Sequence, residues 1–173
     1  MDEKRQKKNI SYLSFYLGDE IFALHVSKVH KILEMMPITV VPHTPDFMKG
    51  VINLRGKVLP VIDTRKKFGM PAVEATKKTC LLVTEANIGQ DEIMVCLLVD
   101  SVQSVLKLDD EEVLPPPGIG SKYQSDFMTG MARVKEKFIM VLDIDKVMSS
   151  DELLNLSEIK NAINKTEQKP VEK

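Results

Sequence analysis

Apolar residues along the chain fall into short runs of strand length, separated by polar, glycine or proline breaks. Residues 12–17 (YLSFYL) and 20–26 (EIFALHV) are rich in strand formers, and Gly18-Asp19 between them is a hairpin signal. Residues 50–63 (GVINLRGKVLPVID) hold two apolar runs around Arg55-Gly56-Lys57, again a hairpin pattern. Residues 79–86 (TCLLVTEA) and 92–99 (EIMVCLLV) follow, with a turn at Gly89, and 132–144 (ARVKEKFIMVLDI) closes the series. Many short strands with turn signals between them predict small β-barrels rather than a parallel α/β sheet. One helix ends the pattern. Ser149 and Glu152 form a capping-box pair, and Leu153, Leu156, Ile159 and Ile163 recur at helical spacing.

The chain also repeats itself. Residues 46–68 (DFMKGVINLRGKVLPVIDTRKKF) align without gaps to 126–148 (DFMTGMARVKEKFIMVLDIDKVM). Upstream, DEI at 19–21 matches DEI at 91–93, and VSKVHKIL at 26–33 matches VDSVQSVL at 99–106 in its apolar spacing. Two copies of one β unit are therefore expected within a domain over 10–164. The first subdomain covers about 10–70, the second about 78–148, and a C-terminal helix about 150–164. The segments 1–9 and 165–173 are charged and poor in large apolar side chains, the composition of disordered tails.

Composition narrows the function. At 43% hydrophobic, 173 residues suffice for a real core. Lysine plus arginine (24) and aspartate plus glutamate (25) nearly cancel, and aromatics are 5% with no Trp, which argues against a nucleic-acid binder. No apolar run approaches the roughly 18 residues that span a bilayer. The N-terminal MDEKRQKKN has no apolar segment after it, so neither a signal peptide nor membrane insertion is expected, and the chain reads as cytoplasmic.

Catalytic chemistry finds little support. Cys80 and Cys96 sit inside apolar runs, where cysteine behaves as a small hydrophobe. His25 and His30 are five apart, the wrong spacing for a helical metal pair, and neither HExxH nor CxxC occurs. Nucleophile-elbow and phosphate-loop patterns are absent; Gly118 and Gly120 precede no G-K-[ST]. Asp109-Asp110-Glu111-Glu112 lacks Ca²⁺-loop spacing and reads as a solvated turn. Asp63 and Asp143, equivalent in the repeat, suit a backbone-bonding turn role. No catalytic residue, metal ligand or cofactor is assigned.

Two features point instead to binding. The stripe Val26, Val29, Ile32, Leu33, followed by Met35-Met36, fits either core packing or a groove for a partner helix. Arg55 sits at a hairpin tip, either as a solvated turn residue or as a charged anchor held by the tight turn at Gly56.

At these residues the chain resembles the CheW family of chemotaxis coupling proteins. The matching segments are FYLGDEIFALHVSKVHKI, PHTPDFMKGVINLRGKVLPVIDTRKKF, LLVDSVQSVLKL, and DFMTG with VLDIDKVM, in family order over nearly the whole chain. The resemblance implies a mainly β fold of two SH3-like five-stranded β-barrel subdomains packed together, with a C-terminal helix. It implies a non-catalytic scaffold that couples the cytoplasmic tip of a chemoreceptor (methyl-accepting chemotaxis protein) to the regulatory domain of the histidine kinase CheA. Recruitment to membrane-bound receptor arrays would follow. Carried over by position, the receptor groove involves Val26, Val29, Ile32 and Val105, with Arg55 nearby and Gly50 where a side chain would disturb it. Kinase contacts are expected at the outer ends of the barrels. Lys31 departs from the family pattern, which commonly has Glu there, and reverses a charge near the groove. The same domain occurs in CheV and in CheA; the length after the terminal helix favours the stand-alone form. Alternatives are a module of those larger proteins, a small β-barrel nucleic-acid binder, and, more distantly, an enzyme.

Overall fold

The computed structural model describes residues 9–88, 90–115 and 127–148, together with Glu152, Asn155, Glu158 and Ala162 on the terminal helix. Within them run β1 (Asn9–Leu17), β2 (Glu20–His25), β3 (Val29–Glu34), β4 (Met48–Leu54), β5 (Lys57–Asp63) and α1 (Thr64–Lys67). Then come β6 (Cys80–Ile88), β7 (Asp91–Val99), β8 (Ser101–Asp109), β9 (Val113–Leu114), β10 (Met128–Val134), β11 (Lys137–Leu142) and α2 (Ile144–Val147). Asn9, expected in the tail, opens β1 opposite Asp109 because β8 extends the ladder to it. The terminal stripe Leu153, Leu156, Ile159 and Ile163, the Ser149 cap, Gly89, Gly118, Gly120 and the segments 1–8 and 165–173 lie outside the described residues.

The strands form two sheets, in the orders β8-β1-β2-β11-β10-β9 and β3-β6-β7-β5-β4. The first has six strands rather than five, since the two-residue β9 adds to its edge beside β10. The two sheets are not the two contiguous halves of the chain. The β1-β2 hairpin of the first repeat pairs with β8 and β11 of the second, and β6-β7 of the second pairs with β3 and β5 of the first. Subdomains over 10–70 and 78–148 therefore give way to two interlocked barrels. Exchanging β1 with β6, β2 with β7, β3 with β8, β4 with β10 and β5 with β11 converts one sheet order into the other. A repeat identifies equivalent segments, but pairing within a copy and pairing between copies satisfy the same ladders.

Both faces of most strands are buried. In β2, Ile21 and Ala23 enter the interior of the first sheet, while Phe22 and Leu24 enter a central core shared by the two sheets. In β6, Leu81 and Val83 fill the interior of the second sheet and Leu82 joins the shared core. Both edges of each sheet contribute to its interior, β8 and β9 in one, β3 and β4 in the other, so each curls into a barrel. Burial on two faces explains the continuous apolar runs LLV and MVCLLV in place of strict alternation. Aromatic contacts tie the halves together: Phe22 to Phe68 at 5.4 Å and Phe68 stacked on Phe127 at 4.5 Å between ring centroids.

The repeat survives in fine geometry. A register shift interrupts the β4-β5 ladder between Met48 and Gly50, and another interrupts β10-β11 between Met128 and Gly130. Arg55 and Lys135, equivalent hairpin residues, both have positive φ, 52° and 59°. Asp63 accepts a hydrogen bond from the Lys66 backbone N–H at 3.2 Å and caps α1; Asp143 accepts from Asp145 N–H at 3.0 Å and caps α2. The paired aspartates thus stop a strand and start a helical turn, the local bonding that makes Asp a good N-cap.

Candidate functional site

The candidate site begins with two β-bulges. Where β3 pairs with β6, the register passes from Val29↔Thr84 to Lys31↔Val83 and leaves His30 extra. Where β8 pairs with β1, it passes from Val102↔Phe15 to Ser104↔Ser14 and leaves Gln103 extra. His30 and Gln103 align in the repeat, so the two bulges are one device used twice. In a regular strand residues three apart face opposite sides; one extra residue restores them to the same side. Val29 and Ile32 can therefore face one groove, although they sit on a strand.

That groove, of about 270 Å³, is lined by Leu13, Val26, Val29, His30, Lys31, Ile32 and Val105. It lies where the edge strand β3 of one sheet meets the edge strand β8 of the other, with Leu13 of β1 directly opposite Val105. Leu13 is buried and Val29 half-buried, while Val26 (38%), Ile32 (50%) and Val105 (59%) are exposed. Single exposed aliphatic side chains are ordinary, but three around a concave apolar floor mark an interaction surface. The stripe divides: Val29 packs against the core and Leu33 fills the second barrel, while Val26 and Ile32 are exposed.

Charge is arranged along one wall. His30 Nε2 stands 3.6 Å from Glu85 on β6. Glu85 shares a hydrogen bond with Glu92 on β7, which lowers the Glu85 carboxyl below its ordinary value and raises that of Glu92. Lys28, in the turn before β3, reaches Asp145 of α2 at 3.5 Å, and Asp145 also accepts from Asn87 N–H at 2.8 Å. Lys31 is exposed and makes no ion pair or hydrogen bond among the described residues.

Gly50 and Arg55, the other two residues the resemblance implies for receptor binding, are not part of the groove lining. Gly50 on β4 faces the segment after β3: a Cβ there would stand 2.2 Å from the Thr39 carbonyl oxygen and 2.7 Å from Ile38. The close approach permits reciprocal backbone bonds between Thr39 and Val51, at 2.9 and 2.8 Å. Gly130 does the same against Leu114 in the other barrel, at 2.5 Å. Arg55 and Gly56 (φ 83°) form the two-residue β4-β5 turn, closed by Gly56 N–H to Asn53 Oδ1 at 3.0 Å. Positive φ at both positions is the twist-matched hairpin form. The Arg55 side chain is exposed and does not line the groove.

Sequence reasoning missed Leu13, which reads as an ordinary core strand residue, and His30, whose bulged position leaves no compositional mark. It also missed the clamp of Arg65 on Asp100. Arg65 Nε donates to Asp100 at 2.9 and 3.1 Å, its second terminal nitrogen bonds the same carboxylate, and Gly18 N–H donates to Asp100 Oδ2 at 2.7 Å. The hydrogen bonds from Arg65 hold the Asp100 carboxyl below the usual carboxylate range.

Burial pushes the Cys96 thiol up to about 12, and also raises Cys80, so both stay protonated at neutral pH. No group of His, Cys, Asp or Glu among the described residues is arranged to hold a metal ion, and none of their helices is long and apolar enough to cross a membrane.

Two interlocked β-barrels with an apolar groove at the meeting of their edge strands define a protein-interaction module. Comparison with known proteins gives it a family. Residues 11–152 match the CheW-like domain. The chain is 36% identical over 142 residues to the chemotaxis protein CheW of Klebsiella aerogenes, covering 82% of this chain and 83% of that one. It is 34% identical over 140 residues to CheW of Rhizobium meliloti, covering 81% and 88%. The crystal structure of the scaffolding protein TtCheW from Thermoanaerobacter tengcongensis superposes with a TM-score of 0.74 at 30% identity, covering 83% of this chain and 95% of that one. The chain belongs to the CheW-like family, and its function is that of a non-catalytic chemotaxis scaffold.

Proposed function

We propose that this scaffold couples chemoreceptor cytoplasmic tips to the regulatory domain of the histidine kinase CheA, acting in the cytoplasm at receptor arrays. The observation that carries the reading is the groove: Val105 of the second repeat lines one concavity with Val26, Val29 and Ile32 of the first, the four residues assigned to receptor binding by resemblance. An apolar slot bordered by the basic residues His30 and Lys31 suits the apolar face of a helix, and the receptor tip is a helical hairpin. Arg55 is a second receptor contact beside the groove, and Gly50 acts through the backbone it holds.

Coupling requires two partners whose contacts bias each other. The scaffold holds the receptor in the groove and the kinase regulatory domain at the outer barrel ends, and repetition in an array multiplies contacts that are each of modest strength. The test is binding of the purified chain to a receptor cytoplasmic tip and, separately, to a CheA regulatory domain, with kinase activity as the third readout. Binding to both, with kinase activity becoming receptor-dependent only when the chain is present, is the expected result. Failure to bind either partner would overturn the coupling role and leave the family membership standing.

A further inference from the structure

We infer that Lys31 is a specificity-determining residue of the groove, and that the partner helix it admits carries an acidic side chain beside its apolar anchors. The inference rests on the groove being the receptor-tip site and adds the charge that the tip must present.

The groove lining contains apolar residues and two basic ones, His30 and Lys31, and no carboxylate. The basic groups nearby are not equivalent. Glu85 answers His30 at 3.6 Å, and Asp145 answers Lys28 at 3.5 Å. Lys31 is exposed, lines the groove and has no such partner among the described residues. The single acid of β3, Glu34, does not line the groove. A lysine whose stem borders an apolar slot covers part of it with methylenes and keeps its ammonium at the rim. A helix laid in the slot meets that ammonium at its edge.

An uncompensated charge at the rim of an apolar site acts on partner choice more than on total affinity. An opposite charge on the incoming helix gains a contact and speeds encounter; a like charge there is rejected. The matching carboxylate belongs three or four residues from the anchor that enters between Ile32 and Val105, because residues so spaced share one face of a helix. Phosphate-rich polymers would also meet a lysine, but one unpaired cation beside an apolar floor, on a chain of net charge -1, does not make a polyanion track.

The experiment measures the dissociation constant of the full chain for the receptor cytoplasmic hairpin tip, at low and at high salt. The variants are Lys31→Met, Lys31→Glu and Ile32→Asp. Lys31→Glu is expected to weaken binding about tenfold, and Lys31→Met about threefold with a flatter salt dependence, as for a rim charge. Changing the tip's docking-face acids to lysine one at a time should find one position that restores binding to Lys31→Glu and weakens it to the wild type. If Ile32→Asp abolishes binding while Lys31→Glu stays within about twofold of wild type, charge selection is overturned and the groove stands. If Ile32→Asp binds normally, the groove reading falls and takes this inference with it.

Discussion

Ile32 and Val105 occupy equivalent positions in the sequence repeat and line one groove, Ile32 from the edge of one barrel and Val105 from the edge of the other. Each follows a bulge at the same repeat position, so equivalent edge strands of the two barrels meet at the groove. Duplication thus supplied two copies of one exposed aliphatic, and interlocking brought them together. The symmetry is broken at Val26, which is exposed in the groove, whereas its counterpart Val99 is buried in the shared core.

The first prediction separates binding from folding at these positions. Ile32 and Val105 are at least half exposed, so replacing either by Asp should change stability by no more than about 0.5 kcal/mol, as for other surface sites. An acid in the apolar slot should nevertheless cost about 2 kcal/mol of receptor-tip affinity, the scale of an interface hot spot. Thermal melts and calorimetric titration of Ile32→Asp and Val105→Asp check both halves. Normal affinity in both variants, with normal melts, would remove the groove as the docking site.

A second prediction concerns Asp100. It lies at the crossover from β7 of one barrel to β8 of the other, held by Arg65 after β5 and by the N–H of Gly18 in the β1-β2 turn. One carboxylate therefore ties both barrels. Its folded pKa is depressed, so its contribution is fully present above the ordinary carboxylate value and is lost as pH falls through the lower folded value. Asp100→Asn should cost about 2 kcal/mol at neutral pH, the range of charge-assisted bonds. It should also remove part of the stability lost by the wild type below about pH 4. Urea unfolding of both proteins at pH 7 and pH 3 measures it; equal stability at pH 7 would show that the clamp contributes nothing.

At Arg55 folding and binding also separate. The residue pays for a left-handed backbone without glycine's freedom, and its side chain makes no ion pair among the described residues. Arg55→Glu should leave the melting temperature unchanged and weaken receptor-tip binding, whereas Arg55→Gly should raise stability by less than about 1 kcal/mol. Unchanged receptor affinity in Arg55→Glu would limit the site to the groove itself.

What the sequence made legible follows from local physics. Strand runs, the hairpin at Arg55-Gly56 and the alignment of Asp63 with Asp143 all depend on neighbours in the chain, and all are recognisable in the fold. The exchange of hairpins between barrels was not legible, because β1 pairs as readily with a copy of β3 as with β3 itself. The bulges at His30 and Gln103 were hidden for a related reason: an extra residue in a ladder exists only relative to its partner strand. Resemblance to a family named the groove residues, but exposure distinguished Ile32, at its rim, from Leu33, which packs into a barrel. Arg65 and Asp100 lay too far apart in the chain to be paired by inspection.

Gly50 provides the last prediction, because the structure assigns it a cause different from direct contact with a receptor. A methyl group at residue 50 would collide with the Thr39 carbonyl and the Ile38 side chain, and backbone there cannot yield as the end of a flexible side chain can. Gly50→Ala should therefore break the two hydrogen bonds between Thr39 and Val51 and displace the segment that carries Met35, Met36 and Ile38 over the second barrel's interior. A loss of about 2–4 kcal/mol is expected, that of a strained backbone site with disturbed packing. Gly130→Ala, opposed by Leu114 in the equivalent place, should behave alike in the other barrel. If receptor binding is lost in Gly50→Ala only in proportion to unfolding, as monitored by hydrogen exchange at Thr39 and Val51, the glycine acts through the fold. A variant that keeps full stability and those protected amides yet fails to bind would instead place residue 50 at the receptor surface.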